Sequence, residues 1–245
     1  MCEKQILILG SSQRKLYSLE NNKIIYKGNN ICSLEDLRSL DLKDKITLVS
    51  NIRKDLEKEI NILKQTNNLI LFDKFKASKD FNISNIYESF GNDRVANIIG
   101  ALTLKINSFI VIDLGTYTTI TSIDFINNSY KLDLNLNMIM LGLSKLLSGI
   151  SKDLCLISDF DFIKYNIEEN FNYNETQKAI YRSLNFYILA LIQELQNLKP
   201  ESKIIITGGW CEIIKNKIQN QNNIIIERDL AALGLKEYLT TNPPR

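Results

Sequence analysis

The order of hydrophobic and polar positions predicts strands and helices that alternate along most of the chain. Short apolar runs bounded by turn residues are typical of buried strands, and they lie at 6–9, 46–49, 69–72, 109–112 and 204–206. Apolar residues spaced three and four positions apart predict helices, which we expect at 54–65, 93–102, 141–150, 176–198, 211–218 and 230–239. The pattern therefore indicates an α/β fold.

Two further stretches complete the pattern. Residues 130–140 alternate strictly between apolar and polar side chains, which predicts one half-buried strand with a period of two. Residues 73–89 are polar and have no clear period, so we expect them to form a loop. This loop leads into the predicted helix that begins near Asp93.

The arrangement of hairpin strands followed by alternating strands and helices occurs twice. Residues 8–11 align with residues 113–116, and each set lies between two predicted strands. The expected architecture is a duplicated α/β fold with two similar subdomains, 1–106 and 107–245, and a ligand cleft between them. Two facing turns of this kind could hold a polyphosphate.

The turn at 113–116 is a candidate binding element. Gly115 allows backbone N–H groups to approach an anion, and Thr116 adds a hydroxyl donor. Asp113 repels phosphate but can hold a cation that binds phosphate. For this turn alone, the alternative is an ordinary hairpin in which Asp113 and Thr116 satisfy turn hydrogen bonds.

Composition is that of a globular protein, with 44% hydrophobic residues, 24% charged residues and a formal net charge of +2. Because no basic block, long apolar run or signal-like start is present, we expect no nucleic acid, no membrane and a cytoplasmic location. The chain has no histidine, which excludes Ser-His-Asp and Cys-His catalysis. The four cysteines form no CxxC pair, so a zinc or redox site is not expected.

Three motifs occur in a fixed order along the chain: Gly-Asn-Asp-Arg at 91–94, Asp-Leu-Gly-Thr at 113–116 and Thr-Gly-Gly at 207–209. Their order and spacing resemble those of type III pantothenate kinase, a family of the acetate-kinase, sugar-kinase, Hsp70 and actin superfamily. Thr176, at the start of the longest predicted helix, is similar to a family position as well. The resemblance covers nearly the whole chain and implies a duplicated actin-like, or ribonuclease H-like, fold.

The resemblance also implies substrates and an acceptor site. The expected reaction is ATP-dependent phosphorylation of pantothenate to 4'-phosphopantothenate, the first step of coenzyme A biosynthesis. Asp93 would be the general base that takes the proton from the primary hydroxyl group of pantothenate. The residues that would contact pantothenate are Gly91, Asn92, Asp93, Arg94 and Thr176. A carboxylate base needs no histidine, and the helix dipole at Asp93 would favour its charged form.

The nucleotide site is implied in the same way. Residues expected to bind ATP are Gly10, Ser11, Ser12, Thr116, Gly208 and Gly209. Asp113 would bind an activating monovalent cation, potassium or ammonium, and magnesium would accompany the ATP. The family resemblance further implies a homodimer.

Departures from the family pattern affect both sites. Ile8 stands where the first phosphate motif has an aspartate that helps to place magnesium, and its side chain suits a core. Whether another acidic group such as Glu3 replaces that aspartate stays open. Leu136, Asn137 and Leu141 stand where the family has two glycines and a proline. A family tyrosine is replaced by Ser84, and Tyr87 is a candidate substitute.

Three functions therefore stay open. The first is a working, divergent type III pantothenate kinase, favoured by the intact 91–94 and 113–116 motifs. The second is a catalytically impaired relative with a binding or regulatory role, favoured by Ile8 and the lost glycines. The third is another kinase or hydrolase of the superfamily with a different small-molecule substrate. A P-loop kinase is disfavoured because no Gly-x4-Gly-Lys-Ser/Thr motif occurs.

Overall fold

The computed structural model describes residues 3–10, 14–21, 23–28, 36, 40, 42, 45–153, 175–218 and 221–243. Ser11 and Ser12 lie outside the described residues, as do three of the four cysteines. The fourth, Cys211, is a buried free thiol. Among the described residues, no helix is both long and apolar enough to cross a bilayer.

The chain folds into two compact units. The first unit comprises 1–107, 123–134 and 229–245, and the second comprises 108–122 and 135–228. Both units are discontinuous along the chain, unlike the continuous segments 1–106 and 107–245 that the sequence predicts. The last helix belongs to the first unit because it packs on a helix of that unit, as described below.

The first unit is built on a five-stranded sheet with the order β3-β2-β1-β4-β5. Its strands are β1 (Glu3–Leu9), β2 (Arg14–Glu20), β3 (Lys23–Gly28), β4 (Lys45–Asn51) and β5 (Asn68–Leu71). Strand β4 is parallel to β1 and to β5, whereas β1, β2 and β3 form an antiparallel meander. Strand β6 (Ile83–Ser84) pairs elsewhere, with β9 (Ser129–Leu132).

The helices of the first unit are α1 (Glu57–Thr66), α2 (Lys74–Asp80), α3 (Asn92–Leu102) and α7 (Leu230–Thr241). Helix α1 covers one face of the sheet through a core that includes Leu7, Val49 and Ile60. Helices α3 and α7 pack against each other at glycines. A Cβ atom on Gly234 would collide with the carbonyl oxygen of Ala96, and one on Gly100 would collide with that of Leu230. The two backbones can therefore approach closely only because both positions lack a side chain.

In the second unit, the sheet order is β12-β11-β7-β8, and β10 pairs with β8. The strands are β7 (Phe109–Leu114), β8 (Tyr117–Ile126), β10 (Met138–Leu141), β11 (Lys203–Thr207) and β12 (Ile224–Ile226). Strand β8 continues into the first unit, where it pairs with β9. Helices α4 (Leu143–Asp153), α5 (Glu175–Leu198) and α6 (Glu212–Ile218) enclose an isoleucine- and leucine-rich core with this sheet.

Two secondary-structure predictions are wrong. Residues 73–89 include helix α2, because the Asp73 side chain accepts hydrogen bonds from the backbone N–H groups of Phe75 (2.9 Å) and Lys76 (3.2 Å) and so caps a helix start. Residues 130–140 form two strands rather than one. A 3₁₀ turn at Leu134–Leu136 separates β9 from β10, which then pairs with β8.

Candidate functional site

The predicted acceptor motif begins helix α3 in the first unit. Gly91 is the N-cap residue and offers no side-chain cap. The carboxylate of Asp93 instead folds back over the helix start, where its Oδ1 accepts a hydrogen bond from the Arg94 backbone N–H at 2.9 Å. A Cβ atom on Gly91 would collide with this oxygen, so the carboxylate position requires glycine there. The structure thus brings Gly91, Asp93 and Arg94 together.

Burial controls the acidity of Asp93. Protein atoms surround its carboxyl group although part of the residue's surface stays exposed, and this burial raises the pKa above its ordinary value. The Arg94 backbone N–H and guanidinium charge act in the opposite direction, and they are the smaller effects. The expectation that the helix start favours the charged form is therefore wrong in its net direction. A raised carboxyl pKa suits a general base at neutral pH.

Arg94 is a buried cation rather than a solvated one. Only 3% of Arg94 is exposed, and its guanidinium carbon lies 4.5 Å from the centre of the Phe90 ring. Phe90 in turn makes an edge-to-face contact with Tyr87, at a centroid distance of 5.3 Å. A cation held over an aromatic face is stabilised by the ring quadrupole. Tyr87, the candidate for the missing family tyrosine, therefore contacts the acceptor motif through Phe90.

Asn92 connects α3 to the edge of the parallel strands. Its side-chain N–H donates to the backbone oxygen of Asn51 at 3.1 Å. Asn51 ends β4 and lies in register with Leu9, and Gly10 follows Leu9 directly. The carboxyl ends of β1 and β4 thus meet the start of α3, which is the kind of sheet edge where α/β proteins bind ligands. No sequence pattern predicts that the Asn51 backbone oxygen accepts a hydrogen bond from Asn92.

Ile8 lies on the same strand, two residues before Gly10. Its register neighbours are Ser50 on β4 and Lys15 on β2. Ile8 is only half-buried, so the description of it as a core residue is wrong. The Lys15 ammonium group lies 3.6 Å from an oxygen of Asp229, which also accepts a hydrogen bond from the Tyr17 hydroxyl at 2.7 Å.

Glu3 does not replace the missing aspartate. It begins β1, about 16 Å along the strand from Ile8 at the usual rise of about 3.3 Å per residue. Its carboxylate is engaged by Lys45 at 3.6 Å. The described residues also contain no group of three or more acidic, cysteine or histidine side chains that could hold a metal ion. Neither Ile8 nor Glu3 therefore offers a carboxylate that would hold magnesium at this position.

The second unit brings together two of the predicted nucleotide motifs. Asp113 on β7 is in register with Thr207 on β11, and Gly208 follows with a φ of +92°. A Cβ atom on Gly208 would collide with the Asp113 carboxylate oxygen and the Leu114 backbone. Gly208 is therefore fixed by both its conformation and its neighbour. Gly209 follows it and is half-buried.

Backbone hydrogen bonds hold these turns in place. The Leu114 carbonyl accepts from the Trp210 N–H at 3.2 Å, and the Gly208 N–H donates to the Arg228 carbonyl at 3.3 Å. The Thr116 carbonyl accepts from the Gly142 N–H at 3.2 Å, which links the 113–116 turn to the residue that precedes helix α4. A half-buried Asp113 carboxylate supplies an oxygen ligand that fits a monovalent cation.

Thr176 lies in the first turn of α5 and is exposed. It belongs to the second unit, whereas Gly91, Asn92, Asp93 and Arg94 belong to the first. Its predicted contact with pantothenate stays a prediction.

The chain shows clear relationships with known proteins. The family model for type III pantothenate kinase matches residues 26–196. A type III pantothenate kinase from Pelagibacter ubique (strain HTCC1062) is 26% identical over 246 residues, which cover 93% of this chain and 94% of the relative.

Solved structures share the fold. A Baf family protein from Campylobacter jejuni has a TM-score of 0.61 at 21% identity, and the match covers 98% of each chain. An archaeal actin homolog has a TM-score of 0.55 at 12% identity, with 97% of this chain and 99% of the homolog covered. These likenesses confirm the predicted actin-like fold. Because the family model spans more than half of the chain, the chain belongs to the type III pantothenate kinase family.

Proposed function

We propose that this protein transfers the terminal phosphoryl group of ATP to the primary hydroxyl group of pantothenate, giving 4'-phosphopantothenate for coenzyme A biosynthesis. The observation that carries the proposal is the start of α3 in a member of this family. There, the Asp93 carboxyl group has a raised pKa and lies beside the buried cation Arg94. That pair can accept a proton and stabilise an anion, which are the two tasks of an acceptor site.

In this proposal, Asp93 accepts the hydroxyl proton as the acceptor oxygen attacks the γ-phosphorus of ATP, and the bond from that phosphorus to the bridging oxygen breaks to release ADP. Phosphoryl transfer depends mainly on in-line positioning and on stabilisation of charge. The protein therefore needs little chemistry of its own beyond a well-placed base. Gly91 permits the Asp93 carboxylate to reach its position. Asn92, Arg94 and Thr176 would bind the polar groups and carboxylate of pantothenate.

The nucleotide would be held by main-chain groups. Gly208 and Gly209 would allow the phosphates to approach the backbone of the second unit, and Thr116 would donate its hydroxyl. Gly10, Ser11 and Ser12 would also contact the phosphates. The assignments of Gly208 and Thr116 are supported by the close approach of Gly208 to Asp113, which brings the 207–209 and 113–116 motifs into contact.

Cations would neutralise phosphate charge when bound. Asp113 would hold potassium or ammonium, because its carboxylate is half-buried beside the Gly208 turn. Magnesium would be carried by the phosphates of ATP, since Ile8 offers no oxygen. Magnesium commonly keeps several water ligands and binds through substrate phosphates with few protein carboxylates.

We further propose a cytoplasmic homodimer. An exposed apolar surface in the second unit supports the dimer: Ile139 and Leu141 on β10 are 67% and 53% exposed, and Tyr117 lies opposite Leu141 on β8. Ile139 and Leu141 share one face of β10, because side chains two residues apart along a strand point the same way. A patch of large exposed apolar side chains is typical of a protein interface.

An assay of ADP release with ATP, magnesium and pantothenate, with and without potassium, tests the proposal. Pantothenate-dependent release that potassium stimulates, together with mass-spectrometric detection of 4'-phosphopantothenate, would support it. ADP release without a phosphorylated pantothenate would instead indicate another acceptor or a hydrolase.

A second function is favoured by one observation, the absence of an oxygen ligand at Ile8. In that case the protein is a catalytically impaired relative that binds ATP or pantothenate in a regulatory role. Thermal shift by either ligand without any turnover would identify this function and exclude the kinase.

A further inference from the structure

Lys74 is the first residue of helix α2, and local hydrogen bonds hold its backbone in place. The Asp73 side chain caps the helix through the N–H groups of Phe75 and Lys76. The Ser78 hydroxyl donates to the Lys74 backbone oxygen at 2.6 Å, one turn later. These bonds fix the backbone of Lys74 independently of its side chain.

The Lys74 ammonium group binds the segment that leads into the acceptor motif. It donates to the backbone oxygens of Glu88 and Phe90, the latter at 2.7 Å. The same segment is closed by the Phe90 N–H, which donates to the Tyr87 carbonyl at 3.0 Å. An ammonium group has three donors and can hold two carbonyl oxygens at once. Lys74 thus fixes a segment that has no regular secondary structure of its own.

This contact is transmitted to the acceptor motif over a short path. Phe90 is 2% exposed, and its ring supports the Arg94 guanidinium at 4.5 Å. The residue after Phe90 is Gly91, whose backbone oxygen accepts the first hydrogen bond of α3 from the Val95 N–H at 3.2 Å. A shift of the Phe90 carbonyl would therefore move both Arg94 and the helix start that carries Asp93.

We propose that Lys74 is a positioning residue for the acceptor site. It acts on Asp93 and Arg94 through Phe90. The inference rests on the proposed function, since it assigns the acceptor role to the start of α3. Lys74 lies partly exposed, so water can replace its hydrogen bonds when it is removed, and the folded state should survive. The geometry of the acceptor site should not survive, because a displacement of about 1 Å can cost about 10²-fold in rate.

The test compares three variants: Lys74→Met, Lys74→Arg and Lys76→Met. Lys76 is an exposed lysine in the same helical turn and serves as the matched control. We expect Lys74→Met to lower kcat/KM for pantothenate by roughly 10- to 100-fold while KM for ATP stays within about twofold. Lys74→Arg should recover most of the loss, since its guanidinium can also donate to two oxygens. Lys76→Met should match the parent protein.

Two results would overturn the inference. One is Lys74→Met with parental kinetics. The other is a parallel loss of affinity for both substrates with a lowered Tm, which would mean general destabilisation.

Hydrogen exchange separates this inference from the proposed function. If the parent protein shows no turnover, the proposed function fails, but the amides of Phe90, Arg94 and Val95 can still be followed. Lys74→Met should speed their exchange by about tenfold over Lys76→Met. Unchanged exchange would overturn the positioning role whatever the assay shows.

Discussion

Gly208 lies directly against the carboxylate of Asp113, and a larger residue would be strained in its place. The φ of +92° at Gly208 and the collision that a Cβ atom would make with Asp113 Oδ1 act together. The turn after β11 and the turn after β7 are therefore a single structural element, although they are far apart in the sequence.

Replacing Gly208 by alanine should damage this element. We expect Gly208→Ala to lower the free energy of unfolding by about 1–3 kcal/mol, because of backbone strain and the collision, and to weaken ATP binding. Denaturant unfolding and ATP titration check the two effects. Gly149→Ala is the control, since its Cβ atom would meet open space within α4, and it should be neutral or stabilising by up to about 1 kcal/mol. Equal behaviour of the two variants would contradict the prediction.

Replacing Asp93 by asparagine should remove the base. Turnover should fall by about 10²- to 10⁴-fold, the usual contribution of general acid–base catalysis. ATP should still bind, which a thermal shift with ATP can verify. Substantial activity in Asp93→Asn would exclude Asp93 as the base.

The same substitution should change stability with a definite pH dependence. Burial raises the pKa of Asp93 in the folded state, so the folded protein binds this proton more tightly than the unfolded chain. The contribution of Asp93 is fully present below its unfolded pKa of about 3.9 and is lost as the pH rises through the higher folded pKa. Relative to the parent, Asp93→Asn should therefore gain stability as the pH rises from about 4. Urea unfolding at several pH values measures this difference, and a stability of Asp93→Asn that falls relative to the parent as the pH rises would refute the prediction.

Restoring an aspartate at position 8 should increase catalysis. We expect Ile8→Asp to raise kcat by up to about 10²- to 10³-fold, the scale of one electrostatic contribution in an active site. In a magnesium titration, the rate of Ile8→Asp should reach half of its maximum at a lower magnesium concentration than that of the parent protein. Ile8→Asn is the matched control, because it adds a polar group of the same size without charge. A kcat that stays low in both variants would mean that other departures from the family limit the enzyme.

Removing the exposed apolar surface on β10 should prevent dimer formation. We expect Leu141→Glu to shift the mass measured by light scattering from dimer to monomer, because a charge in an apolar interface must be desolvated. Leu198→Glu is the control, since Leu198 is equally exposed but ends helix α5. A parent protein that is already monomeric would exclude the proposed dimer.

The core elements could be predicted because their signals are local. Strands such as β7 and β12 carry uninterrupted apolar runs, and the glycine at 115 marks its turn in the sequence itself. The pattern does not predict helix α2, because the main signal for this helix is a single cap at Asp73, followed by few apolar residues. It does not predict the break between β9 and β10, because the alternation continues through the turn at Leu134–Leu136.

The candidate site was predictable only where a motif is contiguous. The motifs at 91–94 and 113–116 can be recognised directly in the sequence, and the order of the motifs indicates the family. Contacts between distant residues have no local signature, so neither the Asn92–Asn51 hydrogen bond nor the Lys74 contact with Phe90 could be inferred. The sequence also does not predict the direction in which the pKa of Asp93 shifts, because burial depends on the whole fold.

The glycine contact between α3 and α7 has a consequence for how the protein is made. Helix α3 leaves the ribosome before most of the second unit is translated, whereas α7 is translated after that unit. Until α7 arrives, the surface of α3 around Gly100 has no partner and is exposed to chaperones or to aggregation. The first unit can therefore be completed only after α7 emerges, so ribosome pausing within the second unit would prolong the time for which α3 lacks this partner.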